Sequence, residues 1–222
     1  MRERPILFAG PMDRAILSGE KTVTRRVMKP QPTPSNLGGH SWPCPIHQTM
    51  LHVEQELQNR EGIWAGLADS ACPHGAPGDR LWVREPWYCD DYRVLRGLYL
   101  KPDDLDLDEA RDDGTLVYAA DGLTPYEAEQ PTWKPSIHMP RWASRILLEI
   151  TAVRVERLQD ISDDQARAEG VAEWAKGALS PEGRADICRQ DGFRMLWESI
   201  NGAGSWNANP WVWVVEFRRI AA

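Results

Sequence analysis

Residues 19–26, Gly-Glu-Lys-Thr-Val-Thr-Arg-Arg, place a lysine, two threonine hydroxyls and two guanidinium groups within six consecutive positions after a glycine. An amine that can take or give a proton, hydroxyls that can attack a carbonyl or orient water, and cations that can hold an anion or a nucleobase oxygen are the parts of an acid–base or anion-binding site. Base chemistry at Lys21 requires the neutral amine. Its unperturbed pKa is ~10.4, so burial must disfavour the charge; Arg25 and Arg26 push in the same direction. The segment before this run, Pro11 to Ser18, reads as a short helix with Pro11 near its first turn, Ile16 and Leu17 on its apolar side and Gly19 as a left-handed stop. After the turn, Thr22–Val27 is rich in β-branched residues and predicts a strand. Lys21 and Thr24 have opposite parity on a regular strand, so Lys21 is expected in the turn or beside a bulge.

A second block, residues 78–85, follows the Pro77-Gly78 turn, alternates like a half-buried strand and ends at Glu85, with Trp82 and Trp87 flanking that carboxylate as candidate pocket walls. The remaining pattern predicts a mainly β protein with a few helices, an α+β chain. Strands are expected near 4–8, 22–28, 80–86, 115–120, 145–157 and 211–219, and helices near 11–18, 162–169 and 190–200. Ser162 and Gln165 have capping-box spacing and Gly170 can end that helix. Three insertions are expected, at about 30–76, 88–114 and 174–188. The first is rich in Pro, Gly and His and reads as partly ordered at best.

Gly19, Lys21 and Arg26 resemble the G-x-K-x-x-E-x-R signature of the ASCH domain, a small β-barrel relative of the PUA RNA-binding domain. The chain departs from it at Thr24, where the signature has glutamate. A lysine followed three residues later by threonine is similar to the bacterial N(4)-acetylcytidine amidohydrolases of that superfamily. Residues 4–8, 77–85, 136–145 and 209–217 look like ASCH-domain proteins of phages and prophages, and the resemblance spans almost the whole chain. It implies one PUA-like domain over 1–222, a small β-barrel with loop insertions. It also implies hydrolysis of the exocyclic amide of an N(4)-acylated cytosine nucleoside to cytidine and a carboxylate, with no cofactor. Lys21, Thr24 and Glu85 would be catalytic, Thr24 attacking or orienting water and Glu85 orienting Lys21. Arg25, Arg26, Trp82, Trp87 and His138 would contact the substrate.

At 222 residues the chain is consistent with one core carrying insertions. The formal net charge of −7 argues against a protein that coats nucleic acid through a broad basic surface. Charge is uneven: residues 1–29 carry seven Lys/Arg against three acids, and residues 101–130 carry ten acids against Lys101 and Arg111. A local positive pocket suits a modified nucleoside or a short single-stranded segment better than a duplex. Eleven tryptophans against three phenylalanines supply large apolar faces, most of them expected in the core, with Trp211 and Trp213 in an alternating strand. The four cysteines are scattered, so reduced thiols are expected and no metal is assigned. Cys44-Pro-Ile-His47 and Cys72-Pro-His74 leave a structural zinc as the sharper alternative. No membrane-length apolar run or signal peptide is evident, so a cytoplasmic protein is expected. Two competing functions remain open: a non-catalytic RNA- or modified-base-binding module, and an ASCH-type ribonuclease.

Overall fold

A computed structural model of the chain describes residues 1–58, 62–122, 133–180, 183 and 189–221. It is a mixed α+β fold with three open sheets. The principal sheet has five strands in the order β1 (Glu3–Leu7), β6 (Arg80–Arg84), β9 (Leu147–Arg157), β10 (Trp211–Ile220) and β2 (Val23–Val27). β1 and β6 are parallel, and the β6–β9, β9–β10 and β10–β2 pairs are antiparallel. A second sheet joins β3 (Thr33–Pro34), β4 (His40–Cys44) and β5 (Thr49–His52), and a third pairs β7 (Trp87–Cys89) with β8 (Leu116–Tyr118).

The period of two along β10 decides where the core sits. Trp211, Trp213, Val215 and Phe217 enter one apolar cluster, and Val212 and Val214 enter another on the opposite face. Both faces of the strand are covered, which is why it reads as a nearly continuous apolar run. The second cluster is completed by α5 (Asp163–Ala168), α6 (Val171–Ala178) and the helix Arg189–Asn201, here α7. β1 and β2 are the two ends of the strand order, yet the Arg26 guanidinium on β2 donates to the Leu7 carbonyl of β1 at 2.7 Å. A long side chain of one edge strand therefore reaches the end of the other, while the two strands are not paired.

In insertion 30–76, residues 30–58 and 62–76 are described and carry defined elements, beyond the loop the sequence suggests; residues 59–61 lie outside the described set. β4 and β5 form a hairpin that buries Trp42, Cys44 and Leu51 in the first cluster, and Val53 and Leu57 follow them there. The prolines and glycines made this segment look like a loop, while its five buried apolar side chains hold it down. Insertion 88–114 likewise contains α3 (Tyr92–Arg96) and α4 (Leu107–Asp112), and α6 enters the stretch assigned to the third; residues 181–182 and 184–188 lie outside the described set. Between β5 and β6 lies α2 (Leu67–Ala71). Among the described residues no helix is long and apolar enough to cross a membrane.

Candidate active site

α1 (Gly10–Leu17) starts with proline in its first turn and ends as the sequence suggests, with Gly19 at a φ of +80°. The chain then turns back along the helix, and the Lys21 amide donates to the Ala15 carbonyl at 2.9 Å. Lys21 therefore lies in the turn, two residues before β2, as the parity argument requires. Its side chain is buried, and Nζ donates to the Val23 carbonyl at 2.7 Å, the Glu169 carbonyl at 2.8 Å and Glu169 Oε2 at 2.8 Å.

Glu169 arrives from the end of α5. That helix has the capping box its sequence suggests, between Ser162 and Gln165. At its other end Gly170 has a φ of +84°, and a Cβ there would stand 2.9 Å from the Ala15 Cβ and 3.3 Å from the Lys21 Cβ. Only glycine lets the α5 terminus approach α1 closely enough for both the carbonyl and the carboxylate of Glu169 to meet Nζ. The Ala168 carbonyl accepts from the Thr22 amide at 2.9 Å, so the lysine lies against the carbonyl end of a helix, where a cation is favoured.

Arg25 shares the same carboxylate. Its buried guanidinium donates to Glu169 Oε1 at 3.2 Å, Glu156 Oε2 at 3.1 Å and Gln165 Oε1 at 2.9 Å, and lies 5.9 Å from the centre of the Phe193 ring. Glu169 thus bridges Lys21 and Arg25. Burial holds the Lys21 pKa below the ordinary lysine value; Glu169 opposes that shift and Arg26 and Arg25 add to it. In the resting geometry all three donors of an ammonium have acceptors, so a neutral amine is formed by moving a proton off Nζ.

These groups line a cavity of about 560 Å³ along the open edge of β2. Its polar wall is Lys21, Thr24, Arg25, Arg26, Lys29, His74, Glu169 and Asn201, and Phe8 and Trp197 are among its rings. Thr24 is buried in β2, and among the described residues no group hydrogen-bonds its hydroxyl. The Phe8 ring centre is 5.5 Å from Lys21 Nζ and 5.2 Å from the Arg26 guanidinium. Burial together with Arg26 and Arg4 lowers His74 to about 4, so its imidazole is neutral near pH 7. Another cleft, of about 470 Å³, runs along β9, but the one cation in its wall among the described residues, Arg154, is already bound by Glu156 and Glu216.

The structure brings Lys21, Thr24, Arg25 and Arg26 together and leaves the other sequence-predicted residues elsewhere. Glu85 was expected beside Lys21. It does not line the cavity; its fully buried carboxylate is held by Arg145 at 2.9 and 3.1 Å, and Glu169 occupies the place expected for it. Trp82 and Trp87 are also outside the cavity wall. Trp82 lies under the Arg84 guanidinium, and Trp87 is packed edge-on against Tyr99 and Trp142 in a third apolar cluster. His138 is exposed on a short turn, Ser136–His138. Trp82 and Trp87 follow sequence proximity to Glu85 and His138 follows the resemblance of residues 136–145; Trp87 joins the third cluster, while Leu81 and Val83 beside Trp82 belong to the first. The residues missed, Glu169, His74, Phe8 and Trp197, come from four distant segments. An acid directly before a helix-ending glycine, Glu169-Gly170, was the one local signal available.

The zinc alternative finds no support in the arrangement of its residues. Cys44, Cys72 and Cys89 are buried free thiols, His47 Nε2 is 3.0 Å from the Ser70 hydroxyl, and burial raises the Cys72 thiol to about 11. Among the described residues no three His, Cys, Asp or Glu side chains are grouped to hold a metal ion. Cys188 lies outside the described residues. Comparison with protein-family models, curated proteins and solved structures finds no match to this chain.

Proposed function

We propose that the chain is an amidohydrolase of ASCH type that cleaves the exocyclic N(4)-acyl amide of an acylated cytosine nucleoside. The observation that supports this reading is the meeting of a buried lysine, a threonine hydroxyl without a partner among the described residues and the Phe8 and Trp197 rings in one cavity of about 560 Å³, a volume suited to a nucleoside-sized ligand.

The chemistry follows from the lysine and its carboxylate. Transfer of a proton from Nζ to Glu169 Oε2, already 2.8 Å away, leaves a neutral amine beside a neutral carboxyl without separating charge in a buried site. The amine removes a proton from the Thr24 hydroxyl, or from a water that Thr24 orients, as that oxygen adds to the acyl carbon. The resulting ammonium gives the proton to the cytosine N4 as the carbon–nitrogen bond breaks. Direct attack by water then yields cytidine and the carboxylic acid; attack by Thr24 yields a threonine ester that a water hydrolyses in a second step. Arg25 holds Glu169 in place, and Arg26 is a cation for developing oxyanion charge. In this scheme Glu169 takes the role that the resemblance gave to Glu85.

Incubation of the purified chain with N(4)-acetylcytidine, followed by chromatographic detection of cytidine and acetate, is the test. Absence of both products at high enzyme concentration sinks the amidohydrolase reading. One observation favours a second reading, a modified-base or RNA-binding module: in the resting state every N–H of Lys21 already has an acceptor, as in a structural ion pair. Tight binding of N(4)-acetylcytidine without turnover selects it.

A further inference from the structure

The cations around the cavity are unequally compensated. Lys21 and Arg25 share Glu169, and Arg25 also meets Glu156. Arg26 and Lys29 line the same cavity with no carboxylate in ion-pair contact among the described residues. Among the described residues the one hydrogen bond of the Arg26 guanidinium is to the neutral Leu7 carbonyl, and its Nε is buried with no partner. Among the same residues, four cationic side chains face one carboxylate in the cavity wall, in a chain whose net charge is −7. Acids are abundant elsewhere, and many arginines outside the cavity pair with them. Among the described residues the Nε atoms of Arg25 and Arg26 and the Nε1 of Trp197 are buried donors without partners; the Nε atoms of Arg80 and Arg84 and the Nε1 atoms of Trp87, Trp211 and Trp213 share that state outside the cavity, so the unpaired charge is the stronger mark of this wall. A wall with surplus positive charge and surplus donors calls for a ligand rich in acceptors and negative charge.

We propose that Arg26, Lys29 and His74 form a phosphate subsite in this cavity, so that the ligand class is a nucleoside monophosphate rather than a bare nucleoside. The inference rests on the nucleoside reading above and names the substrate of that site more closely. A phosphomonoester dianion supplies the two charges that Arg26 and Lys29 lack, and three acceptor oxygens for the uncommitted donors. His74 lies close enough to Arg26 and Arg4 to feel both charges, and among the described residues its ring makes no hydrogen bond. It is a neutral donor in the empty cavity and gains a reason to take up a proton when a dianion arrives.

Calorimetric titration of the full chain with cytidine 5′-monophosphate and with cytidine tests this. The monophosphate is expected to bind at least about tenfold more tightly, the worth of one charge-assisted hydrogen bond. That preference should shrink towards one in Arg26→Gln and in Lys29→Ala. Lys29 is exposed, so its variant keeps the test open where loss of Arg26 disturbs the fold. Equal affinity for the two ligands, no binding of the monophosphate at millimolar concentration, or an unchanged preference in folded Lys29→Ala overturns the subsite. Tighter binding of a short oligonucleotide with an internal cytidine than of the monophosphate also overturns it, in favour of a polymer groove. The parent reading fails separately: acetylcytidine turnover with equal affinities removes only the subsite, and phosphate preference without turnover of either acetylated ligand removes only the hydrolase.

Discussion

Two clusters of carboxylate and cation flank α1: one lines the cavity described above, and the other, which includes the exposed Asp121, is not part of that cavity's wall. On one side, Glu169 serves Lys21 and Arg25 with every oxygen engaged. On the other, Glu85 and Asp121 share Arg145, while Asp13 on α1 is fully buried and among the described residues neither of its carboxylate oxygens has a hydrogen-bond partner. Burial and the nearby Glu85 push Asp13 up to about 8, although Arg145 and Arg14 resist. Burial alone therefore does not identify a working site, since both clusters contain buried carboxylates and shifted groups. The difference is access combined with satisfaction: the first cluster has a completed ion network, a hydroxyl and aromatic walls beside open space, and the second has an acid that folds best uncharged.

The largest expected effect separates the clusters by catalysis. Lys21→Met keeps most of the buried stem and removes the amine, so turnover of N(4)-acetylcytidine should fall by ~10²–10⁴. Glu169→Gln should lose activity on a similar scale, whereas Glu85→Gln should lose less than about tenfold. A larger loss from Glu85→Gln than from Glu169→Gln would reverse the assignment. Lys21→Ala is a poorer probe than Lys21→Met, because the side chain is buried and makes three hydrogen bonds.

Next in size is the stability of the ion network. Glu169→Ala leaves Lys21 without a carboxylate and Arg25 with Glu156 alone, and removing one partner of a buried pair costs ~3–5 kcal/mol. Urea unfolding should show this as a lower midpoint with an unchanged slope. A loss under about 1 kcal/mol would mean that Glu156 and solvent take over the cations, and that the network is less tightly buried than its geometry indicates.

A third effect is in pH. If Lys21 must lose its proton to solvent to act as base, kcat/KM rises as pH increases, and because burial lowers the lysine pKa the inflection should lie below the ordinary ~10.4; if the proton passes to Glu169 instead, the pair keeps it and no such limb appears. Lys21→Met must abolish that limb. An inflection at or above the ordinary lysine value would show that Glu169 wins against burial, leaving Lys21 an ammonium that polarises the amide.

The first cluster was only half legible in the sequence, for a physical reason. Lys21, Thr24, Arg25 and Arg26 are local: a helix stop, a turn and a strand fix their relation, and each of those elements has its own residue signature. The carboxylate partner is a long-range fact. Glu85 was selected because it ends a well-patterned strand, but strand order puts β6 beside β1 and β9, while β2 is at the far end next to β10. Trp82 and Trp87 followed that choice, and they and His138 lie outside the wall of the cavity that holds Lys21. The main strands and the helices α1, α5 and α7 were readable from periodicity and caps. The 30–76 hairpin was not, because Pro43 and Pro45 sit in or beside strands that are anchored by tertiary packing.

The smallest expected effect sharpens the comparison from the other cluster. Asp13→Asn is close to isosteric and removes the group that ionises. The folded-state pKa is about 8 against an ordinary value of 3.8, so folding favours the protonated acid. Its stabilising contribution is complete below pH 4 and is lost as pH rises through 8. Asn cannot ionise, so the variant should melt near the parent at pH 4 and above it at pH 8.5. With a penalty of about 1–3 kcal/mol for an unsatisfied buried group, and about 2–4 °C per kcal/mol in a chain of this size, the gap should reach several degrees. Equal melting temperatures at both pH values would mean that Asp13 finds a cation or a donor when it ionises. In that case the second cluster is as complete as the first, and the two would differ only in access to the cavity.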